Sequence, residues 1–194
     1  MRIISGQAKG RKILAPKGLE TRPITDMIKG ALFNVWGSKV QQSHFLDLFA
    51  GSGSVGLEAL SRGAQLVIFV DVSKAAVKTI RQNLVSCGFN ENFEVYSKDV
   101  FLVLPVLNRR DLKFDYIYVD PPFTDTNVFA EIMQALDDGI LLKPDGCMVI
   151  RSIKSIDLPL YSNSLRKTRA DKYGESVLHY YRLIEEDQAN DGDF

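Results

Sequence analysis

Phe45-Leu46-Asp47-Leu48-Phe49-Ala50-Gly51-Ser52-Gly53-Ser54-Val55-Gly56-Leu57-Glu58-Ala59-Leu60 reads as a buried strand, a glycine turn and the first turns of a helix. Glycines in such a turn let the main chain take positive φ and approach a ligand closely, and the free N–H groups that open the helix favour an anionic or electron-rich group. A nucleotide-like cofactor is the expected guest. Gly51, Gly53 and Gly56 satisfy G-x-G-x-x-G, and Asp71 follows twenty positions after Gly51, an arrangement that a dinucleotide fold also uses. Asp47 tips the balance: a carboxylate near the end of the first strand suits a cationic group such as a sulfonium and would repel a pyrophosphate. The plainer account of Asp47 is a turn or helix-cap acid.

Working outward, the same unit repeats. Gln65 to Val70 is a second strand ending at Asp71, followed by a helix from Ser73 to about Ser86. An acid there can accept both hydroxyls of a ribose. Phe93 to Ser97 is a third strand, closed by Lys98-Asp99-Val100, where Asp99 would accept from an adenine amine or simply cap a helix over 100–107. Phe114 to Val119 is a fourth strand and delivers Asp120-Pro121-Pro122-Phe123. A helix over Asn127 to Asp138, a turn over Leu141 to Gly146 and a strand over Cys147 to Arg151 come next. Ser164 to Lys172 and Ser176 to Ile184 then form a terminal antiparallel pair. This alternation predicts an α/β, Rossmann-like, doubly wound sheet of seven mostly parallel strands with helices on both faces. Asp47, Asp71, Asp99 and Asp120 would share its carboxyl edge.

Asp120-Pro121-Pro122-Phe123 carries the expected chemistry. Two prolines stiffen the chain and remove two donors, which leaves the Pro121 carbonyl and the Asp120 carboxylate as fixed acceptors. Phe123 offers a face for a base drawn out of its helix. Acceptors hold the hydrogens of an exocyclic amine and turn its lone pair toward an electrophilic methyl. Guanine suits a carboxylate, because its N1–H and N2–H2 donors are adjacent.

The 194 residues suffice for one domain with a sizeable core. Lysine plus arginine equals aspartate plus glutamate, yet residues 1–30 hold seven bases against two acids, and 185–194 hold five acids and no base. We therefore expect a basic N-terminal extension over 1–23, a catalytic body over 24–184 and an acidic disordered tail over 185–194. Arg2 to Ser5 and Arg11 to Ala15, split by Gly6 to Gly10, read as a hairpin that must lean on the body or a partner. Arg2, Lys9, Arg11, Lys12, Arg22 and Lys29 are its candidate nucleic-acid contacts, against the plainer account of a solvated basic edge. Thr25 caps a helix expected to turn Ile28, Leu32, Phe33, Val35 and Trp36 inward before Gly37. Cys87 and Cys147 read as packed thiols, and no metal site is expected. No apolar leader follows Met1, so a cytoplasmic, membrane-free protein is expected.

The chain resembles the RsmD-type family of 16S rRNA guanine-N2 methyltransferases. The likeness runs from Arg2-Ile3-Ile4-Ser5-Gly6 and Gly10-Arg11-Lys12 through Arg22-Pro23-Ile24-Thr25-Asp26, Leu32-Phe33-Asn34 and the stretch from Asp47 to Ala59 to Asp120-Pro121-Pro122-Phe123 and Lys172-Tyr173-Gly174-Glu175. The resemblance implies S-adenosylmethionine as cofactor, held by Asp47, Phe49, Gly51, Gly53, Gly56, Asp71, Asp99 and Val100. It implies transfer at Asp120 to Phe123 and, as partner, small-subunit rRNA or the 30S subunit or its assembly intermediate, with a monomer expected. Where the family continues with arginine and then an arginine–glutamate pair, this chain has Met27, Lys29 and Gly30. Adenine-N6 transfer is the alternative within enzymes. An NAD-dependent oxidoreductase or a non-catalytic RNA-binding protein is less favoured, because neither His44 nor His179 is placed for hydride transfer and Asp120 and Phe123 are intact.

Overall fold

A computed structural model describes residues 1–16, 24–122, 127–139 and 141–184. Its elements are α1 (Asp26–Trp36), β1 (His44–Leu48), α2 (Ser54–Ser61), β2 (Leu66–Asp71), α3 (Lys74–Cys87), β3 (Phe93–Ser97), α4 (Val100–Arg109), β4 (Phe114–Val119), α5 (Asn127–Asp138), β5 (Leu142–Ile153), β6 (Leu165–Tyr173) and β7 (Ser176–Leu183). The strands form one seven-stranded sheet in the order β3-β2-β1-β4-β5-β7-β6, in which β7 alone runs against its neighbours. The seven-stranded Rossmann-like arrangement is thus as the repeating acids and apolar runs imply.

Period-two alternation assigns each strand residue to a face. Phe45, Val67, Phe69, Tyr116, Tyr118 and Val149 join α1, α2 and α3 in one cluster, while Leu46, Leu48, Ile68, Val70, Ile117, Val119 and Ile150 join α4 and α5 in the other. Both faces are covered, which explains why the central strands are apolar without a break. By the same parity Asp47, Asp120 and Arg151 belong to the face of α1, α2 and α3. The chain turns toward β2 after β1 and toward β5 after β4, so the sheet's topological switch point lies between β1 and β4. Ligands of open α/β sheets bind outside the carboxyl ends of the strands at such a point.

Three expectations change. Val35 is 38% exposed, since α1 turns only Ile28, Leu32, Phe33 and Trp36 into the core with the buried Lys29. The N-terminal hairpin has a single bridge, Arg2 to Lys12, instead of two strands. It is held by burying Ile3, Ala8 and Ile13 against the body and by bonds to α2 and α3. The turn over Leu141 to Gly146 becomes an irregularity inside β5, where Leu142 pairs with Phe114 and Cys147 with Tyr116.

Candidate active site

The glycine turn is built as its sequence requires, although its glycines do different work. Gly51 and Gly53 have φ of 57° and 73°, in the left-handed region. A Cβ on Gly51 would meet nothing nearer than the Phe49 carbonyl at 4.0 Å, so this stretch of main chain borders open space. Gly56 faces inward: a Cβ there would lie 2.3 Å from a ring carbon of Phe69. Its role is close helix–strand packing, and its N–H donates to Asp47 Oδ2 at 2.9 Å. Phe49 also has positive φ, 57°, which is costly for a bulky residue and turns the chain sharply off β1.

The four acids reach the edge expected of them. Asp47 is buried beneath the start of α2, where it satisfies an otherwise orphan helix N–H, as the plainer account had it. Burial drives its carboxyl well above the usual range, with the Gly56 bond opposing and Asp120 and Asp71 adding. Asp71 accepts from Gly51 N at 2.7 Å and from Ser73 N at 2.8 Å, which ties the glycine turn to the start of α3. Burial raises its pKa against those two bonds. Asp99 caps α4 by accepting from Phe101 N at 2.8 Å and stays exposed. Val100 is buried among the α4 and α5 residues, so its side chain faces the core.

Asp120 follows β4 directly. Its Oδ2 accepts from Arg151 Nη1 at 2.9 Å and from Tyr118 Oη at 3.2 Å. The Ser176 hydroxyl lies 3.3 Å from Nε and Nη2 of Arg151, on the other side of a nearly buried guanidinium. Burial raises the Asp120 carboxyl, and the Arg151 charge is the largest influence against it. Pro121 is buried and Pro122 exposed. Phe123 lies outside the described residues. Sequence reasoning gave Arg151 no role, yet a signal was present: one cation ends the apolar run Cys147 to Ile150 on the strand beside β4.

Of the candidate RNA contacts, Arg2, Lys9, Arg11 and Lys12 are exposed, and Arg22 lies outside the described residues. Lys29 is a correction. It is fully buried, and its ammonium reaches the Arg2 carbonyl at 2.7 Å, Ser54 Oγ at 3.0 Å and Glu58 Oε2 at 3.5 Å. Those three partners use its three donors. Burial lowers its pKa, with the Glu58 carboxylate opposing. Glu58, also buried, accepts from Ile4 N at 2.8 Å, Ser5 N at 3.0 Å and Arg62 Nε at 2.9 Å, and so anchors the N-terminal segment on α2. Its signal was an acid set between Leu57 and Leu60 on an otherwise apolar helix.

His179 is buried with its Nε2 2.9 Å from Ser152 Oγ, and Cys87 and Cys147 are buried free thiols. Among the described residues there is no cluster that could hold a metal ion, and no helix is long and apolar enough to cross a membrane.

A seven-stranded Rossmann-like sheet with a glycine turn at its switch point and an acid-proline pair one strand away defines the class I methyltransferase fold, and the chain is a methyltransferase of that class. Residues 1–182 match the family described as "Conserved hypothetical protein 95", and the chain belongs to it. It is 36% identical over 182 residues to the Bacillus subtilis protein named "Putative rRNA methyltransferase YlbH", covering 94% of this chain and 98% of that one. It is 35% identical to the Haemophilus influenzae "Ribosomal RNA small subunit methyltransferase D", over 82% of this chain and 81% of the relative. The solved Escherichia coli structure known as "Putative methyltransferase yhhF" superposes with a TM-score of 0.80 at 29% identity, covering 94% and 97% of the two chains.

Proposed function

We propose that this chain transfers the methyl group of S-adenosylmethionine to the exocyclic N2 amine of a guanine in small-subunit rRNA, in the cytoplasm. The observation that carries the reading is the Asp120 carboxylate, fixed by Arg151 and Tyr118 at the switch point beside the glycine turn. The name of the Haemophilus influenzae relative supports the polymer, and the adjacent donors of guanine support the base.

The residues fit the cofactor. The open space at Gly51, where a side chain would project, gives room for a ligand against the turn. Asp71 is half-buried at the same edge, and each of its oxygens keeps acceptor capacity for a ribose hydroxyl beyond its one main-chain bond. Gly51, Gly53 and Asp71 would hold the group, with the buried Asp47 supporting the turn from beneath through the Gly56 N–H, Phe49 shaping the turn, and Asp99 and Val100 bordering the adenine end. When bound, S-adenosylmethionine supplies a methyl group on a positively charged sulfur.

The remaining work falls to this chain. Arg151 and Tyr118 both donate to Oδ2 of Asp120, so Oδ1 would be the oxygen that accepts from the N–H donors of the base. A carboxylate that accepts from N1–H and N2–H of guanine fixes the amine and its lone pair, and positioning of this kind supplies most of the rate. Phe123 would stack on the extracted base.

The test is incubation of the purified protein with methyl-labelled cofactor and with free 16S rRNA or small subunits from cells lacking the gene, followed by mass spectrometry of the nucleosides. Label in N2-methylguanosine is expected. Label in N6-methyladenosine overturns the base assignment, and absence of label from either RNA overturns the substrate.

A further inference from the structure

Helix α3 carries Lys74, Lys78 and Arg81 and no acidic residue. Spacings of four and three place the cations along one face, away from Ile80, Leu84 and Cys87, which seat the helix on the sheet. All three are exposed, and among the described residues none has a salt-bridge partner. Like charges four apart, as Lys74 and Lys78 are, disfavour an isolated helix. A face that serves only for solubility would mix its signs; this one concentrates a single sign and gains from an external polyanion.

Position adds a second line. Lys74 is three residues past Asp71, at the edge that carries the active site. Arg81 lies seven residues further, about 10 Å along the helix. The three cations border a shallow groove of about 730 Å³ whose surface is mostly apolar, with Val77 and the exposed Val85 in its lining beside Gln82, Ser86 and Ser97, the last residue of β3. Lys98, next to Ser97, is exposed at the same edge. Toward its far end, α3 is clamped to the basic N-terminal segment: the buried Asn83 donates to the Leu14 carbonyl at 3.0 Å and accepts from Leu14 N at 2.9 Å. The exposed Arg11 and Lys12 lie three and two residues before that clamp.

We infer that this face of α3 is a track for the RNA backbone, in which Lys74, Lys78 and Arg81 hold phosphates of the strand flanking the target nucleotide and lead it over the carboxyl edge to Asp120. The inference rests on the RNA methyl-transfer reading above. Cations without carboxylate partners along the rim of a mostly apolar groove match a nucleotide strand, whose phosphates meet the charges while its sugars and bases lie against Val77 and Val85, better than an acidic protein.

The test compares the wild type with K74Q/K78Q/R81Q and with the charge-keeping K74R/K78R/R81K. Each is titrated against a 16S rRNA transcript and against small subunits across a salt series. Cofactor uptake is followed by calorimetry as a check on the fold. Loss of three phosphate contacts predicts affinity lower by about tenfold or more at moderate salt, and a log–log salt slope shallower by about 2. The charge-keeping variant should bind as the wild type does, and all three should take up cofactor equally.

An unchanged slope in the glutamine variant overturns the track, as does equal weakening in both variants. Lost binding to subunits with intact binding to the transcript points to a protein partner and overturns it too. The earlier reading is judged separately, by where the wild type puts its label. A wild type that binds RNA but marks another base, or none, removes the guanine assignment and leaves the slopes to judge α3. A wild type that binds no RNA removes both.

Discussion

Arg151 Nη1 lies 2.9 Å from Asp120 Oδ2, joining the ends of two neighbouring parallel strands on the sheet face that carries α1, α2 and α3. Tyr118↔Val149 and Val119↔Ile150 are paired in register, so the next step along both strands brings Asp120 to Arg151. The sheet itself therefore sets the pair. Burial lifts the Asp120 carboxyl, and Arg151 is what most restrains the rise.

Accepting N–H groups requires ionised Asp120, so transfer should fall as pH drops through that raised pKa. In Arg151→Gln burial is unopposed by the guanidinium, and the acidic limb of kcat against pH should move to higher pH. Activity at neutral pH should fall about tenfold for each unit that the limb moves past it, with partial recovery at alkaline pH. Arg151→Lys keeps the charge without the fork and should be intermediate. A profile that drops in height without moving would make Arg151 a merely structural residue.

Lys29→Met should destabilise the fold by on the order of 3–5 kcal/mol, the usual effect of stranding one member of a buried pair. Here Glu58 is left without its ammonium, although Ile4 N, Ser5 N and Arg62 still hold it. The salt slope of RNA binding, measured on the folded fraction, should match the wild type, because a fully buried ammonium meets no phosphate. Chemical denaturation and a salt series check the two halves. A shallower slope would return Lys29 to the RNA surface.

The contrast between Lys29 and the strands says what the sequence could and could not reveal. Phe93–Ser97, Phe114–Val119 and Asn127–Asp138 begin and end where their apolar patterns and flanking polar residues imply, because both faces of the sheet are covered and short runs leave little freedom. The site's acids were legible for the same reason: each lies within two residues of a strand's carboxyl end. Lys29 was not, because its charge is read from neighbours in sequence, whereas its partner Glu58 is brought by the packing of α2 against α1. Arg151 was hidden likewise, since strand order and register, which no local pattern fixes, set it beside Asp120. The Asp145-Gly146 turn signal was real but local, and β5 absorbed it as an irregularity within one strand.

Gly51→Ala and Gly56→Ala should fail in different ways. At Gly56 the new Cβ would meet the Phe69 ring at 2.3 Å, and overpacking of this kind costs about 1–3 kcal/mol or more. At Gly51 the space is open, so the stability cost is the left-handed backbone alone, about 1 kcal/mol. The methyl of Gly51→Ala would instead project where the cofactor is proposed to lie. Calorimetry should therefore show cofactor uptake weakened more by Gly51→Ala, and denaturation should show stability lowered more by Gly56→Ala. The reverse order would move the cofactor away from this turn.

His179 gives the fold a pH dependence of defined sign. Burial, with Lys167 adding, depresses its pKa from 6.5 to about 4, and its Nδ1 is buried without a partner among the described residues. A depressed pKa means that the contribution to stability is present above about pH 6.5 and is lost as pH falls toward and through about 4, where the folded state must accept a buried charge. The buried acids Asp47, Asp71 and Asp120, whose pKa values are raised, act in the opposite sense: their contribution is present at low pH and lost as pH rises through the raised values. Subtracting the unfolding curves of His179→Gln from those of the wild type removes that shared background. The difference should shrink between pH 6.5 and 4 by on the order of 1–3 kcal/mol. Chemical denaturation at half-unit pH steps reads it directly, and parallel curves would mean that the imidazole titrates in the fold as it does in the open chain.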